Sequence, residues 1–382
     1  MFSDKNLSRS IAFVLAFSVI HAVAGQPVTE KKVMLRDTID NNLDFSRFLL
    51  EARGFLPMAM PITEPALGHI GLGAGLLFLR PHEPLVPGQY IPPDITVAFG
   101  MYTANSSWMM GGARIGSLPK WGLKYRIGGA YGTINLTFYR TIVQEEQEFS
   151  FALETLPLLA SLSRKISKSD IYLGIRYLFM KTTVSPNFNG DIPAFITEKE
   201  LQNDAALLGV FIDWDKRDNI FTPDRGYRLN TEYGINDDWT GSDFSYDRMT
   251  GTFTWFFPLR KNWISGLRVE GQHVTGDPPF YLLPAVNMRG IPAARYQGVT
   301  IALIETEQRY DFNRRWSGLV FVGVAMAREK DESFSEAGRA YSVGGGFRYL
   351  LARLFNIRAG VDIAGGSGGF GYYIVFGHNW NR

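Results

Sequence analysis

The chain has 382 residues, with 39 lysines and arginines against 37 acidic residues, and it contains no cysteine. This length allows two domains of about 150 residues each, or one large β unit. A net charge of +2 argues against a nucleic-acid-binding protein, which carries a strongly basic stripe. The lack of cysteine excludes disulfide frameworks, cysteine zinc sites and thiol nucleophiles. Forty glycines exceed the usual share of about 7 % and favour many short strands.

Residues 1–24 have the pattern of a secretory signal peptide. Lys5 and Arg9 supply the positive n-region, an apolar core covers 11–20, and small residues at 22–24 suit a cleavage site. No later run approaches the roughly 18 apolar residues of a transmembrane helix, so an exported chain of this kind spans a membrane only as a barrel. Residues 25–53 form a short polar N-terminal segment, where Asp44 can cap a short helix that stops at Gly54.

From Gly54 onward, apolar and polar residues alternate. Phe253 and Trp255 share one face of a segment, and Thr252 and Thr254 share the other. Because successive side chains of a strand point to opposite faces, each such segment has one apolar and one polar face. Charges lie mid-strand on one face and Trp and Tyr lie near the strand ends, which predicts a lipid-facing exterior, a polar lumen and aromatic girdles.

Turn signals divide residues 54–382 into sixteen predicted strands. They are 54–63, 67–80, 92–104, 106–117, 121–140, 147–164, 168–184, 204–216, 226–237, 243–258, 262–275, 299–312, 316–328, 338–350, 354–364 and 369–380. From the sixth strand on, short connections follow even strands and long connections follow odd strands. Outer-membrane barrels have short periplasmic turns and longer outer loops, so both termini are predicted to be periplasmic. The connection at 81–91 departs from this rule.

Two segments resemble the bacterial surface-antigen family of BamA/TamA/FhaC-type outer-membrane barrels. The first is a strand-turn-strand signature, which contains Asp213, Asp215, Arg217, Asp218, Pro223 and Gly226. The second is Met288-Arg289-Gly290-Ile291, in the 23-residue connection at 276–298. The resemblance implies an all-β, sixteen-stranded antiparallel transmembrane barrel whose sixth outer loop folds into the lumen. It covers 54–382 and indicates a subgroup without N-terminal POTRA domains. On its own chemistry, the Asp213–Tyr227 turn is structural.

A loop lock is predicted around Arg289 and Gly290. An arginine inside a barrel needs a carboxylate partner, and Glu307 and Glu305 lie on the predicted lumen face of the twelfth strand. The resemblance implies Glu307 as the partner. The next strand has Gly323 where the family has an inward aspartate, which leaves room for a loop but supplies no charge. The alternative is that Arg289 is a solvated loop charge.

The seam between the first and last strands is predicted to be weak. Pro57 and Pro61 in the first strand cannot donate to a ladder, and the last strand contains Gly371, Gly377 and a terminal Trp380. An unpaired backbone group is costly in a membrane, so the seam is strained, short or able to open. The alternative is a barrel end tied off by a short strand.

No enzyme, cofactor or metal site is predicted, because the five histidines are scattered and the glycine-rich motifs lack the helix that nucleotide or serine chemistry needs. We expect a bacterial outer-membrane protein that contacts outer-membrane lipid and lipopolysaccharide. We expect its partner to be a periplasmic or outer-membrane protein or a second copy of this chain. We expect no nucleic-acid partner. The resemblance implies protein or lipid insertion or translocation through a plugged lumen and a weak seam. The alternative is a porin-like channel, or an anchor and scaffold for a partner.

Overall fold

The computed structural model describes residues 35–51, 54–80, 94–142, 145–167, 169–188, 192–193 and 196–380. The predicted signal peptide at 1–24 and residues 25–34 of the predicted N-terminal segment lie outside the described residues, as does the whole 81–91 connection. Within that segment, a helix α1 runs over Ser46–Glu51. Asp44 accepts a hydrogen bond from the backbone N–H of Ser46 at 2.7 Å, which satisfies one of the free donors at a helix start.

The described residues form sixteen strands, as the alternation predicted. They are β1 Gly54–Ile62, β2 Gly71–Arg80, β3 Asp94–Thr103, β4 Trp108–Leu118, β5 Leu123–Ile142, β6 Glu145–Lys165, β7 Ile171–Pro186, β8 Gln202–Asp215, β9 Gly226–Asn236, β10 Tyr246–Arg260, β11 Trp263–Gly276, β12 Thr300–Asp311, β13 Trp316–Arg328, β14 Gly338–Ala352, β15 Ile357–Gly366 and β16 Gly369–Phe376. A second helix, α2, covers Glu198–Leu201. Short 3-10 helices cover Pro65–Leu67, Pro119–Trp121, Asp238–Thr240, Phe280–Leu282 and Arg353–Phe355.

Each strand pairs antiparallel with its neighbour in sequence, in one sheet ordered from β1 to β16. The sheet curls into a nearly closed barrel. Among the described residues no ladder joins β1 to β16, so the barrel has an unsealed seam. The predicted last strand, 369–380, was too long, because β16 ends at Phe376.

The two faces of the barrel have opposite polarity. On β13, Val320, Val322 and Val324 point outward and are exposed, whereas Phe321 and Ala325 point inward and are buried. Charged residues follow the inward face, where side chains pair with one another. An apolar outer surface around a charged, packed interior is the arrangement of a transmembrane barrel. We call the end of the barrel that holds the described ends of the chain the terminal end, and the opposite end the loop end.

Candidate functional site

The connection between β11 and β12, residues 277–299, folds back among the inward-facing side chains. The ring of Phe280 packs on Phe138 of β5 and Phe151 of β6, with centroids 4.9 and 5.2 Å apart. The backbone N–H of Phe280 donates to Glu200 Oε1 at 2.8 Å. We call residues 277–299 the β11–β12 loop. Its first part is held by an aromatic cluster and by a buried carboxylate.

Arg289 carries the buried charge of this loop. Its Nη2 donates to Glu307 Oε2 at 2.8 Å, and its Nη1 donates to Asp362 Oδ2 at 2.7 Å. The guanidinium carbon lies 3.4 Å from the centroid of the Phe321 ring. Only 2 % of Arg289 is exposed, and a buried charge needs such partners because leaving it unpaired costs several kcal/mol. Arg289 therefore joins the loop to β12, β13 and β15.

Asp362 is the partner that sequence reasoning missed. It is fully buried, and besides Arg289 it accepts two hydrogen bonds from Arg348, at 2.5 and 2.8 Å. The sequence does indicate that Asp362 points into the lumen, because Arg358 and Asp362 alternate with apolar residues and so belong to the inward face. The sequence does not show that β15 brings this carboxylate opposite the loop, since β15 lies three strands away from β12.

Glu305 was also assigned to the loop lock, and its direct hydrogen-bond partner is Arg268. Glu305 faces inward as predicted, but its Oε2 accepts from Arg268 Nη1 at 2.5 Å, because the β11–β12 register places these two residues opposite each other. The same Arg268 nitrogen donates to the carbonyl of Asn287 at 3.2 Å. Glu305 therefore reaches the loop by hydrogen bonds through Arg268, and acts on Arg289 only through its charge.

Two glycines permit the close approach of the loop. Gly290 has a φ of +81°, which favours glycine, and its N–H donates to Tyr373 Oη at 2.8 Å. Gly323 leaves the space that the sequence predicted on β13. A Cβ there would lie 2.6 Å from Glu305 Cγ and 2.9 Å from Met288 Sδ, so any side chain would displace the loop or its neighbour.

The predicted turn motif makes the bonds of a structural turn. Asp213 accepts from Arg228 at 2.8 Å and Asp215 accepts from Arg217 at 2.9 and 2.7 Å. Asp218 accepts the backbone N–H groups that follow Pro223, at 3.0 and 3.3 Å. Gly226 has a φ of +100°, and a Cβ there would lie 2.2 Å from the Lys216 carbonyl oxygen.

The same turn reaches across the terminal end of the barrel. Asn219 Nδ2 donates to the Phe355 carbonyl at 2.9 Å, and Asn356 Nδ2 donates to the Thr222 carbonyl at 2.8 Å. Asp224 forms an ion pair with Arg309 of β12. These bonds connect the β8–β9 turn with β12 and with the β14–β15 turn, and so narrow the lumen at the terminal end of the barrel.

At the seam, β1 and β16 meet only through side chains and loop atoms in the described part of the chain. The Ile374 N–H lies 3.4 Å from Thr63 Oγ1, and Tyr372 Oη donates to the His69 carbonyl at 2.9 Å. Proline in a sheet occupies positions whose missing donor faces away from a ladder. The β1–β2 register is unbroken through Pro57 and Pro61, so their missing donors belong to the free edge.

The sequence also placed Gly377 and Trp380 in the seam, and this was wrong. Gly377 has a φ of +78° and turns the chain inward, where its N–H donates to the Arg358 carbonyl at 2.6 Å. Trp380 is buried and packs on Phe256 of β10, with centroids 5.6 Å apart. The indole gains more by packing inside the barrel than by extending an edge strand that has no partner.

An anchor near α1 was not anticipated. Asp37, Asp40 and Asp44 surround Arg315, with contacts of 2.6 to 2.8 Å, and Asp37 also accepts from Arg353 at 2.7 Å. The hydrogen bond from Arg315 holds the pKa of Asp40 well below its usual value, and the bond from Arg353 lowers the pKa of Asp37. This cluster fixes residues 37–44 to the β12–β13 and β14–β15 turns.

Comparison with known proteins extends this description. Residues 124–283, from β5 into the β11–β12 loop, match the Omp85 superfamily domain. Over this segment the chain is similar to Omp85-type barrels. Its fold is similar to BamA from Haemophilus ducreyi lacking POTRA domains 1–3, with a TM-score of 0.57, 12 % identity and coverage of 86 % of this chain and 70 % of that one.

Two CdiB structures share the fold. CdiB from Escherichia coli matches with a TM-score of 0.57 and 8 % identity, over 84 % of this chain and 61 % of that one. CdiB from Acinetobacter baumannii matches with a TM-score of 0.51 and 8 % identity, over 84 % and 58 %. This chain therefore spans less than two thirds of either CdiB chain. No curated protein sequence matches it significantly.

The predicted family resemblance and the predicted Gram-negative outer-membrane location are therefore confirmed. No helix among the described residues is long and apolar enough to cross a membrane.

Proposed function

We propose that this barrel inserts or translocates amphiphilic substrates, protein or lipid, at the outer membrane through its unsealed seam. The observation that carries the proposal is the seam itself, where β1 and β16 have no ladder among the described residues. Unpaired backbone groups are costly in hydrocarbon. A barrel that leaves an edge exposed therefore offers that edge to a chain or amphiphile which satisfies or shields it.

We propose that the β11–β12 loop blocks the lumen of the barrel. Its contacts with Glu307 and Asp362 through Arg289, and with Phe138 and Phe151 through Phe280, support this role because they fill the lumen with packed and paired groups. A filled lumen directs substrate toward the wall and the seam rather than along the axis. We propose that the barrel acts by guiding its substrate and not by catalysing a chemical reaction.

A disulfide across the seam tests this proposal. An ideal Cβ on Gly371 lies 3.0 Å from Pro65 Cγ, which makes the two residues close neighbours across the seam and candidates for a disulfide, whose Cβ atoms lie about 3.8 Å apart. The chain has no cysteine, so the double variant Pro65→Cys/Gly371→Cys has no competing thiol. Ala59→Cys/Ala74→Cys joins residues already opposite each other in the β1–β2 ladder. It is the matched control that leaves the seam free.

Both variants are reconstituted in liposomes, and two activities are measured. One is the folding rate of an added unfolded outer-membrane barrel, and the other is transbilayer movement of a fluorescent phospholipid. We expect the seam disulfide to abolish the activity that is present and reduction to restore it, while the control stays active. Full activity with the seam closed would refute the proposal. A large steady conductance in planar bilayers would instead support a porin-like channel.

A further inference from the structure

The inward face of β1–β4 differs from the rest of the lumen. Alternation and the unbroken registers of these strands direct a series of large apolar side chains inward, among them Met58, Met60, Phe99, Met101, Met109 and Ile115. In the described parts of β1–β4, no charged residue occupies an inward position. The inward face of these strands is therefore apolar, whereas strands from β5 onward face inward with arginines and carboxylates.

This apolar wall is uncovered in the described chain. Met58, Met60 and Ile115 are 49 %, 54 % and 45 % exposed. Inward apolar residues elsewhere are covered, since Ile301 and Leu303 of β12 pack under Val286 of the β11–β12 loop. An exposed methionine-rich surface is adaptable and suits irregular apolar ligands. The wall therefore presents a binding surface for hydrocarbon rather than for water.

The wall is continuous with the lipid-facing exterior. β1 is an edge strand without a ladder to β16, and its outward residues, Pro57, Ala59 and Pro61, are also free of polar side chains. A hydrocarbon chain can pass around this edge without meeting a charged side chain of β1. The seam thus links the bilayer to the inward face of β1–β4.

Two cations lie at the terminal end of the wall. Lys124 and Arg126 face inward on β5, opposite Ser117 and Ile115 of β4. Neighbouring arginines have carboxylate partners, as Arg176 has in Glu232 and Arg228 has in Asp213. In the described chain, Lys124 lies 3.6 Å from the centroid of the Tyr172 ring, and neither Lys124 nor Arg126 forms a salt bridge with a carboxylate; Asp213 acts on both cations only from a longer distance.

The distances suit one leaflet of a bilayer. From Ile115 to Met109, β4 advances six residues, which is about 20 Å at roughly 3.3 Å per residue. With a strand tilt of about 40°, this corresponds to about 15 Å along the barrel axis, or half of the roughly 30 Å hydrocarbon core.

From the apolar wall and the two neighbouring cations, Lys124 and Arg126, we propose that the inward face of β1–β4 binds a phospholipid. The acyl chains lie on the methionine-rich wall, and the phosphate lies at Lys124 and Arg126. With the termini periplasmic, as the sequence predicts, the headgroup takes the orientation of an inner-leaflet lipid. The proposal rests on the proposed function in one respect, because the unsealed seam is the entrance for the lipid.

The test uses the full chain in nanodiscs that contain a phospholipid with a photoreactive diazirine at the end of its acyl chain. After illumination, labelled peptides are mapped by mass spectrometry. We expect adducts on inward-facing Met58, Met60 and Met101 as well as on outward-facing Leu72 and Phe78. Labelling confined to outward-facing residues would overturn the proposal, whether the wall is then covered by this chain or by a protein substrate.

Variants separate a lipid site from general exposure to the bilayer. Each of Lys124→Gln and Arg126→Gln should reduce inward labelling about fivefold, the effect of about one cation on an anionic headgroup. Arg248→Gln removes an inward cation of β10, outside the wall, and should leave labelling unchanged. Heat-modified mobility in gels verifies that each barrel is folded. Equal inward labelling in all three variants would refute the headgroup site.

This experiment involves no transport, so the two proposals fail separately. If inward-facing residues are labelled but the seam disulfide does not change the activity, the proposed function is refuted and the lipid site is supported. If the seam disulfide abolishes the activity but no inward-facing residue is labelled, the lipid site is refuted and the proposed function is supported.

Discussion

Replacement of Arg289 should release the β11–β12 loop from the barrel wall. Arg289→Ala removes the bonds to Glu307 and Asp362 and leaves Glu307, a buried carboxylate, without that cation. Breaking a buried pair on one side costs about 3–5 kcal/mol. Since 1.4 kcal/mol is a factor of ten in an equilibrium, the open fraction of the loop should rise about a hundredfold to several thousandfold. Asp362 keeps Arg348, so the barrel wall itself should stay folded.

Proteolysis in intact membranes measures this open fraction when opening is fast relative to cleavage. Chymotrypsin is suitable, because it cuts at Phe280 and Tyr281 and its sites survive the substitution, unlike a tryptic site at Arg289. Arg289→Lys should give an intermediate rate, since an ammonium lacks the planar fork that reaches two carboxylates. Arg225→Ala removes an exposed arginine and should have no effect. A cleavage rate in Arg289→Ala within twofold of the unchanged protein would refute the lock.

Three further results are expected. Gly323→Val should expose the same loop to protease, because even a Cβ would lie 2.9 Å from Met288 Sδ. Arg315→Gln should free residues 37–44, measured as faster amide exchange of that segment with no change in the barrel strands. The anchor should also depend on acid: the lowered pKa of Asp40 means that its contribution is complete above its ordinary value near 3.8 and is lost as the pH falls through the lowered one. Equal protection of residues 37–44 at pH 7 and pH 2, after correction for the intrinsic exchange rate at each pH, would contradict this.

Much of the fold follows from the sequence because a barrel strand is a local pattern. Each strand shows its own alternation and its own turn, and neighbours in sequence are neighbours in space, so the count of sixteen needs no long-range information. The role of Glu307 as a partner of Arg289 could be predicted in the same way, since Glu307 lies on an inward face and is close to the loop in sequence.

The remaining contacts depend on how the barrel closes. Asp362 meets Arg289 because the inward faces of β12 and β15, three strands apart in the wall, both point at the β11–β12 loop. Trp380 leaves the strand pattern because a buried indole position exists beside Phe256. The cluster at Arg315 joins residues some 270 positions apart. None of these distances is encoded by a local period, and each is fixed by side chains competing for the same interior space.

The seam and the apolar wall have one physical origin. An edge strand that carries Pro57 and Pro61 lacks donors on its free side, so a ladder to β16 would be incomplete even if the strands met. A seam without a full ladder admits hydrocarbon to the inner side of β1, and an inward face in contact with hydrocarbon is stable only if it is apolar. Met58 and Met60 meet that condition, and charged lumen residues begin only at β5, with Lys124 and Arg126. Under the proposed lipid site, the change of lumen polarity between β4 and β5 marks the boundary between the wall that lipid reaches through the seam and the wall that packs against the β11–β12 loop.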